Sequence, residues 1–261
     1  MEATGGYERL AFGLLWSWDL PAALVNPRSV RRFAEAMGLL EKTDQIDAEA
    51  IAWYAEAKRI VPRPPASAAQ RTLAALVTRL RQLTELRAMQ SNQRRLVDDP
   101  DALGSLDELL AVVGRQIRTF EDRIVTLIAG DPLWGELDAT FRTIKGVAGR
   151  TVARLLAEMP EIGTLSGKAV AKLAGLAPIA RDSGQRTGKR FVRGGRSHVR
   201  SILFVVAGVV ARHEPDFAAF QRKLAEAGKP KKAIRVALAR KLLVRLNAKA
   251  RDVRREIPAA T

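Results

Sequence analysis

One serine lies in a stretch rich in arginine and glycine and poor in apolar side chains. Ser183 is followed by Gly184, and three cations flank it: Arg181, Arg186 and Lys189. A glycine leaves room for a DNA backbone to approach, and guanidinium groups stabilise charge on a phosphorus under attack. Ser183 is therefore a candidate nucleophile for a phosphodiester. A turn residue in a phosphate-binding loop is the alternative, and the residues alone leave both open.

Three acids near the N-terminus could hold a metal ion. Asp44 and Asp47 lie one helical turn apart, so their carboxylates project from the same helix face. Glu2 precedes a Gly-Gly turn that resembles the end of a strand. Magnesium prefers hard oxygen ligands, usually one or two carboxylates with phosphate and water. Helix N-termini also attract acids without any metal, so the spacing by itself leaves that alternative open.

A glycine-containing turn between two apolar stretches, in residues 141–156, matches a helix-hairpin-helix. Gly146 and Gly149 would let backbone amides at a helix N-terminus approach a phosphate. Lys145 stands where proline is commoner and adds positive charge. A helix-turn-helix packing corner is the alternative.

Charge is distributed unevenly along the chain. The net charge is +16, and residues 141–261 hold 27 Lys or Arg against 8 Asp or Glu. After Phe220 there are 13 positive and 3 negative residues, whereas a solvated helix face normally mixes the two signs. We therefore expect the C-terminal half to bind nucleic acid, in preference to a membrane surface.

Composition excludes several classes of protein. The chain has no cysteine and two histidines, which excludes disulfides and argues against a zinc site. It has no apolar run long enough to cross a membrane and no signal-peptide pattern. We expect a cytoplasmic protein that is not inserted in a membrane.

The elements that must position these residues differ along the chain. Residues 1–60 read as α/β, with a helix over 10–18, a short strand over 22–25, and helices after Asn26-Pro27 and after Thr43. A proline-rich break over 61–65 predicts a domain boundary. The segment 175–200 predicts loops or a short β-hairpin. Helices are expected over 202–212, 217–227 and 232–249, the last with one basic face.

Two long helices follow the break. Apolar side chains in the second keep alternating three- and four-residue spacing, as in a coiled coil. These are Leu103, Leu106, Leu110, Val113, Ile117, Phe120, Ile124 and Leu127. A dimerising arm is favoured, and an antiparallel hairpin packed on its own domain is the alternative.

Taken together, the motifs resemble the insertion-sequence one-ten family of transposases, DEDD recombinases guided by a bridge RNA. The matching stretches follow the family's order over nearly the whole chain. They are Glu2-Ala3-Thr4-Gly5-Gly6-Tyr7-Glu8, Val25-Asn26-Pro27, Lys42-Thr43-Asp44-Gln45-Ile46-Asp47-Ala48, Gly146-Val147-Ala148-Gly149, Gly175-Leu176-Ala177-Pro178, Ser183-Gly184, Gly194-Gly195 with Arg200, and Arg240-Lys241-Leu242-Leu243.

The resemblance implies an α/β plus all-α architecture. Residues 1–62 would form a partial RuvC-like (RNase H-like) α/β domain, residues 63–130 a coiled-coil hairpin, and residues 131–261 a helical transposase domain with the helix-hairpin-helix. Glu2, Asp44 and Asp47 would be the second to fourth metal-binding acids, and Ser183 the serine that becomes linked to DNA. The family's first aspartate and three strands would precede Met1, so this chain is expected to lack them and catalysis by it is in question.

The expected partners are DNA, a noncoding guide RNA and further copies of the chain, assembled as dimers or tetramers through the coiled coil. The expected cofactor is magnesium. The expected nucleic-acid contacts are Lys145, Gly146, Gly149, Arg181, Arg186, Lys189, Arg190, Arg193, Arg200, Arg240 and Lys241. A nucleic-acid-binding protein without catalysis is the alternative function. A site-specific invertase would share the chemistry and differ in its target.

Overall fold

The computed structural model describes residues 1–41, 43–180, 182–184, 188 and 190–257. Within them the secondary structure is mostly helical, with isolated β-bridges in place of sheets. The chain consists of two compact units, Met1–Ala68 (unit 1) and Ala69–Thr261 (unit 2). No helix of the described ranges is both long and apolar enough to cross a membrane.

Unit 1 contains three helices, and the starts of the second and third follow local capping rules. They are α1 (Glu8–Ser17), α2 (Pro27–Ala36) and α3 (Asp44–Ala57). The Asn26 side chain accepts a hydrogen bond from the Arg28 N–H, and Pro27 occupies the first helical position. The Thr43 side chain caps α3 in the same way, through the Ile46 N–H. The sequence predicted α2 and α3 because their caps are encoded within three residues, whereas α1 begins without a side-chain cap.

The short strand expected over 22–25 is reduced to one parallel bridge between Glu2 and Val25. Two backbone hydrogen bonds hold it, from the Ala3 N–H to the Val25 carbonyl and from the Val25 N–H to the Met1 carbonyl, both 3.0 Å. The prediction of an α/β segment is therefore only weakly represented in the described part of unit 1. Helix packing makes the small core instead, which contains Val25, Val30, Ala34 and Ala50.

Unit 2 contains eight helices in the residues that the structure describes. They are α4 (Ala68–Arg94), α5 (Pro100–Ala129), α6 (Pro132–Arg142), α7 (Gly149–Glu158), α8 (Gly167–Leu173), α9 (Ser197–His213), α10 (Pro215–Glu226) and α11 (Lys231–Glu256). Helix α11 packs against α6, α8, α9 and α10 and so lies at the centre of the unit.

The long helices α4 and α5 form the two arms of the expected hairpin, with Asp99 capping α5 at the turn. Their inner halves join the core of unit 2. Val113, Ile117 and Ile124 of the predicted seam are buried there, and the Gln70 side chain donates hydrogen bonds to the last carbonyls of α7. The seam is thus used within this chain along its inner half, which favours the hairpin packed on its own domain there.

The loop between α7 and α8 is fixed onto α11. The buried Asn247 side chain accepts a hydrogen bond from the Gly163 N–H (2.9 Å) and donates one to the Leu165 carbonyl (2.8 Å). Gly163 has φ +89°, and a Cβ there would lie 2.8 Å from the backbone of Ala250. Only glycine therefore fits this close approach. The loop matters because it carries the residues that hold the candidate site.

Candidate active site and nucleic-acid interface

Ser183 lies on a hairpin-like segment between α8 and α9, which we call the serine hairpin (residues 176–193). Near its base the backbones of Ile179 and Phe191 form an antiparallel bridge. The Ile179 N–H donates to the Phe191 carbonyl at 2.9 Å, and the reverse hydrogen bond is 3.4 Å long. Ser183 itself is solvent-exposed, and Gly184 follows it with φ +54°. The hydroxyl is therefore accessible to a large substrate.

Glycines bring the two ends of the serine hairpin together. The backbones of Gly175 and Gly195 approach so closely that a Cβ on either would collide with backbone atoms of the other strand. The Arg200 guanidinium, on α9, donates to the Gly194 carbonyl at 2.6 Å beside this junction. The arginine expected to contact nucleic acid thus holds the C-terminal end of the hairpin to α9.

A second arginine ties this base to the α7–α8 loop. Arg196 donates two hydrogen bonds of 2.6 Å to the Glu161 carboxylate and a third, of 2.7 Å, to the Glu158 carbonyl. The bidentate geometry restricts orientation as well as distance. Burial raises the pKa of the Glu158 carboxyl, although the charges of Arg154 and His198 act in the opposite direction. Sequence reasoning missed Glu161 and Arg196 because they lie 35 residues apart.

The cations of the serine hairpin differ in their partners. Arg190 forms a 2.9 Å ion pair with Asp182, whose other oxygen accepts the Gly188 N–H. Arg193 is exposed and has no ion pair among the described residues. The other three cations expected here, Arg181, Arg186 and Lys189, lie outside the described residues.

The turn between α6 and α7 contains the expected helix-hairpin-helix glycines. Gly146 has φ +101° and packs against Val209 and the backbone of Val210 on α9. The Lys145 backbone N–H donates to the Glu214 carboxylate at 3.0 Å, so this amide already has an anionic partner inside the chain. Gly149 begins α7, which has no side-chain cap, and space around its Cα is open. The amides at the start of α7 are therefore the ones available to an anion.

The basic helix α11 divides its cations between structure and surface. Lys241 contacts Asp216 and lies over the rings of Phe217 and Phe220. Burial alone would raise the pKa of Asp216, but the hydrogen bond and charge of Lys241, with Arg245, hold it below its usual value. The neighbouring Arg240 has no ion pair in the described part of the chain. Adjacent cations on one helix thus have different roles.

The candidate metal-binding acids all lie in unit 1. The Glu2 backbone belongs to the bridge with Val25, Asp44 is the exposed first residue of α3, and Asp47 is half-buried one turn later. Among the described residues no three His, Cys, Asp or Glu side chains are grouped as metal ligands. The observed arrangement therefore does not fit a complete metal site.

Glu8, in the same N-terminal motif, has a structural role that sequence reasoning missed. Its carboxylate accepts hydrogen bonds from the Gly6 N–H (2.8 Å) and the Thr4 N–H (2.9 Å). Hydrogen bonds from its own backbone N–H and from those of Gly6 and Thr4 lower its pKa to about 2. The turn over Thr4 to Gly6 thus closes around a carboxylate, in the way of an N-terminal helix cap.

Comparisons with known proteins agree with these features. Residues 1–97 match the DEDD transposase family of the IS110 type, and residues 138–222 match the transposase family IS116/IS110/IS902. The chain is 29% identical to the pilin gene-inverting protein of Moraxella lacunata over 258 residues, which cover 93% of this chain and 76% of the relative. The corresponding protein of Moraxella bovis is 29% identical over 256 residues, with the same shares.

The two family matches together cover more than two thirds of the chain, and they contain both groups of candidate residues. The first spans the acids of unit 1, and the second spans the serine hairpin and the α6–α7 turn. The chain belongs to the IS116/IS110/IS902 family of transposases.

Proposed function

We propose that this transposase cuts and rejoins DNA through Ser183, in the presence of magnesium and under the guidance of a noncoding RNA. The observation that carries the proposal is the exposure of Ser183 beside Gly184, on a hairpin that presents cations. A transposase binds DNA, and a hydroxyl that attacks its backbone has to be reachable by a duplex. The Arg196 and Arg200 contacts support this role because they hold the hairpin to the body of unit 2.

The proposed chemistry is a transesterification. The Ser183 oxygen attacks phosphorus, an Oγ–P bond forms, and the bond from phosphorus to one deoxyribose oxygen breaks. The serine proton leaves to solvent, and the released deoxyribose oxygen takes up a proton. A new deoxyribose hydroxyl then attacks the phosphoserine and releases the serine. Each ester replaces another of similar energy, so rejoining needs no external energy source.

Phosphate contacts would come from the α6–α7 turn, the serine hairpin and α11. The uncapped start of α7, at Gly149, supports a phosphate-binding helix-hairpin-helix with the exposed Lys145 side chain beside it. Arg193 and Arg240 supply cations without internal ion pairs in the described residues. Arg190 and Lys241 would have to exchange an internal carboxylate for a phosphate.

The match to the DEDD family suggests a divalent metal ion. We assign magnesium to Glu2, Asp44 and Asp47 of a RuvC-like domain. The described side chains do not form a three-ligand group, so no reaction step is assigned to the metal. The expectation is that adduct formation stops when magnesium is chelated and returns when it is restored.

We further propose that three segments of the chain have separate roles. Residues 1–62 would be the RuvC-like domain, residues 63–130 an assembly hairpin that joins copies of the chain, and residues 131–261 the DNA-handling domain. The basic surface of the last domain would hold DNA and guide RNA in the cytoplasm. Inversion of a DNA segment, the activity named for the Moraxella relatives, would use the same strand exchange on a different target.

A second candidate function is nucleic-acid binding without catalysis. The observation that favours it is the lack of a three-ligand acidic group in the described residues, whereas Arg193 and Arg240 of unit 2 have no ion pair in that part of the chain. The two functions differ in one product, the covalent bond between protein and DNA.

The test is a search for that bond. The chain is incubated with magnesium, with end-labelled DNA from the ends of its insertion sequence, and with RNA from the region that flanks its coding sequence. Adducts are then separated on a denaturing gel. We expect a labelled adduct whose peptide carries phosphate on Ser183, and we expect Ser183→Ala to abolish it. Ser197→Ala is the matched control, because Ser197 is also exposed but is the first residue of α9.

DNA binding by all three proteins is measured in parallel by fluorescence anisotropy. Ser183→Ala is expected to bind within about twofold of wild type, since a hydroxyl contributes little to phosphate-dominated affinity. An adduct that survives Ser183→Ala would show that the nucleophile is another residue. A wild-type chain that binds DNA and forms no adduct would support the non-catalytic function.

A further inference from the structure

The serine hairpin exposes two apolar side chains where its strands pair. Phe191 is 57% exposed and Ile179 is 40% exposed. Their backbones exchange hydrogen bonds in both directions, so the two residues are directly opposite and their side chains lie on the same face. Together they form a small apolar step, which we call the Phe191 step.

The aromatic side chains elsewhere in unit 2 are used differently. Trp134, Phe141 and Phe217 are buried in its core, and Phe217 in addition lies under two cations of α11. The Phe191 ring has no aromatic or cation contact within the described residues. The Phe191 ring is therefore available to a partner outside this part of the chain.

The surroundings of the Phe191 step indicate what that partner is. Arg190 precedes Phe191 and Arg193 follows it by two residues, and both are exposed. The carboxylate nearby, Asp182, already forms an ion pair with Arg190. Two arginines beside an exposed aromatic ring, one of them without an ion pair in the described residues, suit a nucleic acid, whose bases offer flat faces for stacking and whose phosphates pair with arginine. A protein or lipid partner would need a broader apolar area.

We propose that Phe191, supported by Ile179, stacks against a nucleobase that has been displaced from its neighbour. The inference rests on the proposed function only for the position of the scissile phosphate. Ser183 follows Ile179 by four residues, and four residues of chain span at most about 14 Å. The contacted base therefore lies within about four base steps of the phosphate that faces Ser183.

Stacking has a signature that differs from an ionic contact. It is tolerant of sequence, so the probe does not have to contain the natural target. It also releases no counterions, whereas each lost phosphate contact lowers the slope of log affinity against log salt by about 0.9. One titration of affinity against salt should therefore distinguish the contribution of Phe191 to binding from that of Arg193.

The experiment uses the full chain with Ser183→Ala, so that binding is measured without cleavage. The probe is a duplex of about 30 base pairs with a short unpaired bubble and 2-aminopurine at successive positions. In this background we compare Phe191 with Phe191→Ala and Phe191→Trp. Val125→Ala is the control, because it also shortens an exposed apolar side chain of unit 2. Circular dichroism melts check that each variant is folded.

We expect Phe191→Ala to weaken binding roughly 5- to 150-fold, the range for loss of one stacked base. The salt slope should stay unchanged, and the 2-aminopurine signal at one position should be lost. Phe191→Trp should restore both affinity and signal, and Val125→Ala should change neither. Arg193→Ala, in contrast, should lower the salt slope by about 0.9.

Three outcomes would overturn the stacking proposal. They are a Phe191→Ala variant that binds as tightly as its parent, an affinity loss that Phe191→Trp does not restore, and a lower mass by light scattering for Phe191→Ala, which would identify the step as a contact between copies. Adduct formation is scored separately in the Ser183 protein. If Phe191→Ala binds as its parent does and the Ser183 protein still forms the adduct, only stacking is refuted. If Phe191→Ala weakens binding as expected and the Ser183 protein forms no adduct, only the nucleophile is refuted.

Discussion

At the scale of single residues, several carboxylates organise the backbone around the candidate sites without taking part in them. Glu8 closes the N-terminal turn, Glu161 holds the base of the serine hairpin, and Glu214 takes the Lys145 amide. Sequence patterns identified the acids that are spaced for a metal but not these three. Their partners are backbone amides or a distant arginine, and such partners leave no spacing to detect.

Glu8 gives a pH-dependent prediction for unit 1. Its folded pKa of about 2 is below the ordinary value of 4.5, so ionised Glu8 stabilises the fold above about pH 4.5. That contribution is lost as the pH falls from about 4.5 towards 2. Glu8→Gln should therefore lower the melting temperature of unit 1 at pH 7, and the difference from wild type should shrink over that acidic range.

The measurement is thermal unfolding followed by circular dichroism between pH 2.5 and 7. Glu56→Gln is the control, because Glu56 is an exposed glutamate on α3. A difference between Glu8→Gln and wild type that stays constant across this range would show that the Thr4 and Gly6 amides do not depend on the charged carboxylate.

At the scale of elements, helix starts with a capping side chain were predictable, and loop attachments were not. The uncapped helix α9 begins at Ser197, although the sequence predicted its start at 202 and loops or a hairpin up to 200. Asn26, Thr43 and Asp99 cap helices through amides two or three residues away, so the signal is local. The serine hairpin was expected as loops or a short hairpin, but its attachment through Arg196 joins elements 35 residues apart. Nothing in the local composition distinguishes Arg196 from the cations around it.

Arg196→Ala should loosen the serine hairpin. It removes the bidentate pair with Glu161 and leaves the Glu158 carbonyl without this donor, at a cost of about 1–3 kcal/mol. Trypsin should then cut faster between residues 173 and 197, and mass spectrometry would locate the cuts. Lys172→Ala, which alters an exposed lysine of α8, is the control. Equal cutting rates for wild type and Arg196→Ala would mean that the glycines alone fix the hairpin.

The α4–α5 hairpin gives a second prediction at this scale. Ile117 lies in the core of unit 2 at 2% exposure, whereas Leu109 and Val112 are exposed. Ile117→Asn should therefore lower the free energy of unfolding by about 2–5 kcal/mol, as expected for loss of a buried aliphatic side chain. Exchange of Leu109 and Val112 for serine should leave stability nearly unchanged and reduce self-association.

Light scattering over a range of concentrations measures the mass, and denaturant titration measures the stability. A wild-type chain that stays monomeric at high concentration would contradict assembly through the hairpin. A fall in mass with Ile117→Asn but not with the serine variant would place the contact on the seam rather than on the exposed face.

At the scale of the whole molecule, the uneven charge distribution predicted a nucleic-acid-binding half, and family membership as a transposase agrees with it. A charge count could not show which cations the fold uses for itself. On α11, Lys241 and Arg245 pair with Asp216, and Arg251 and Arg254 donate to carbonyls of the α7–α8 loop. The charge available to DNA is thus smaller than the sequence indicates, because several of these cations already have partners inside the fold.

Arg240 and Lys241 are adjacent cations that test this division. Arg240 has no ion pair in the described residues, so Arg240→Ala should remove one phosphate contact and lower the slope of log affinity against log salt by about 0.9. Lys241→Ala should change the slope less. It should instead lower the free energy of unfolding by about 1 kcal/mol, because Asp216 loses its hydrogen-bond donor and two aromatic rings lose a cation.

Anisotropy titrations on duplex DNA from about 50 to 300 mM salt and denaturant melts of both variants measure the two quantities. If Lys241→Ala lowers the slope as much as Arg240→Ala and leaves stability unchanged, the internal pair yields to phosphate when DNA binds, and α11 presents all of its charge to the nucleic acid.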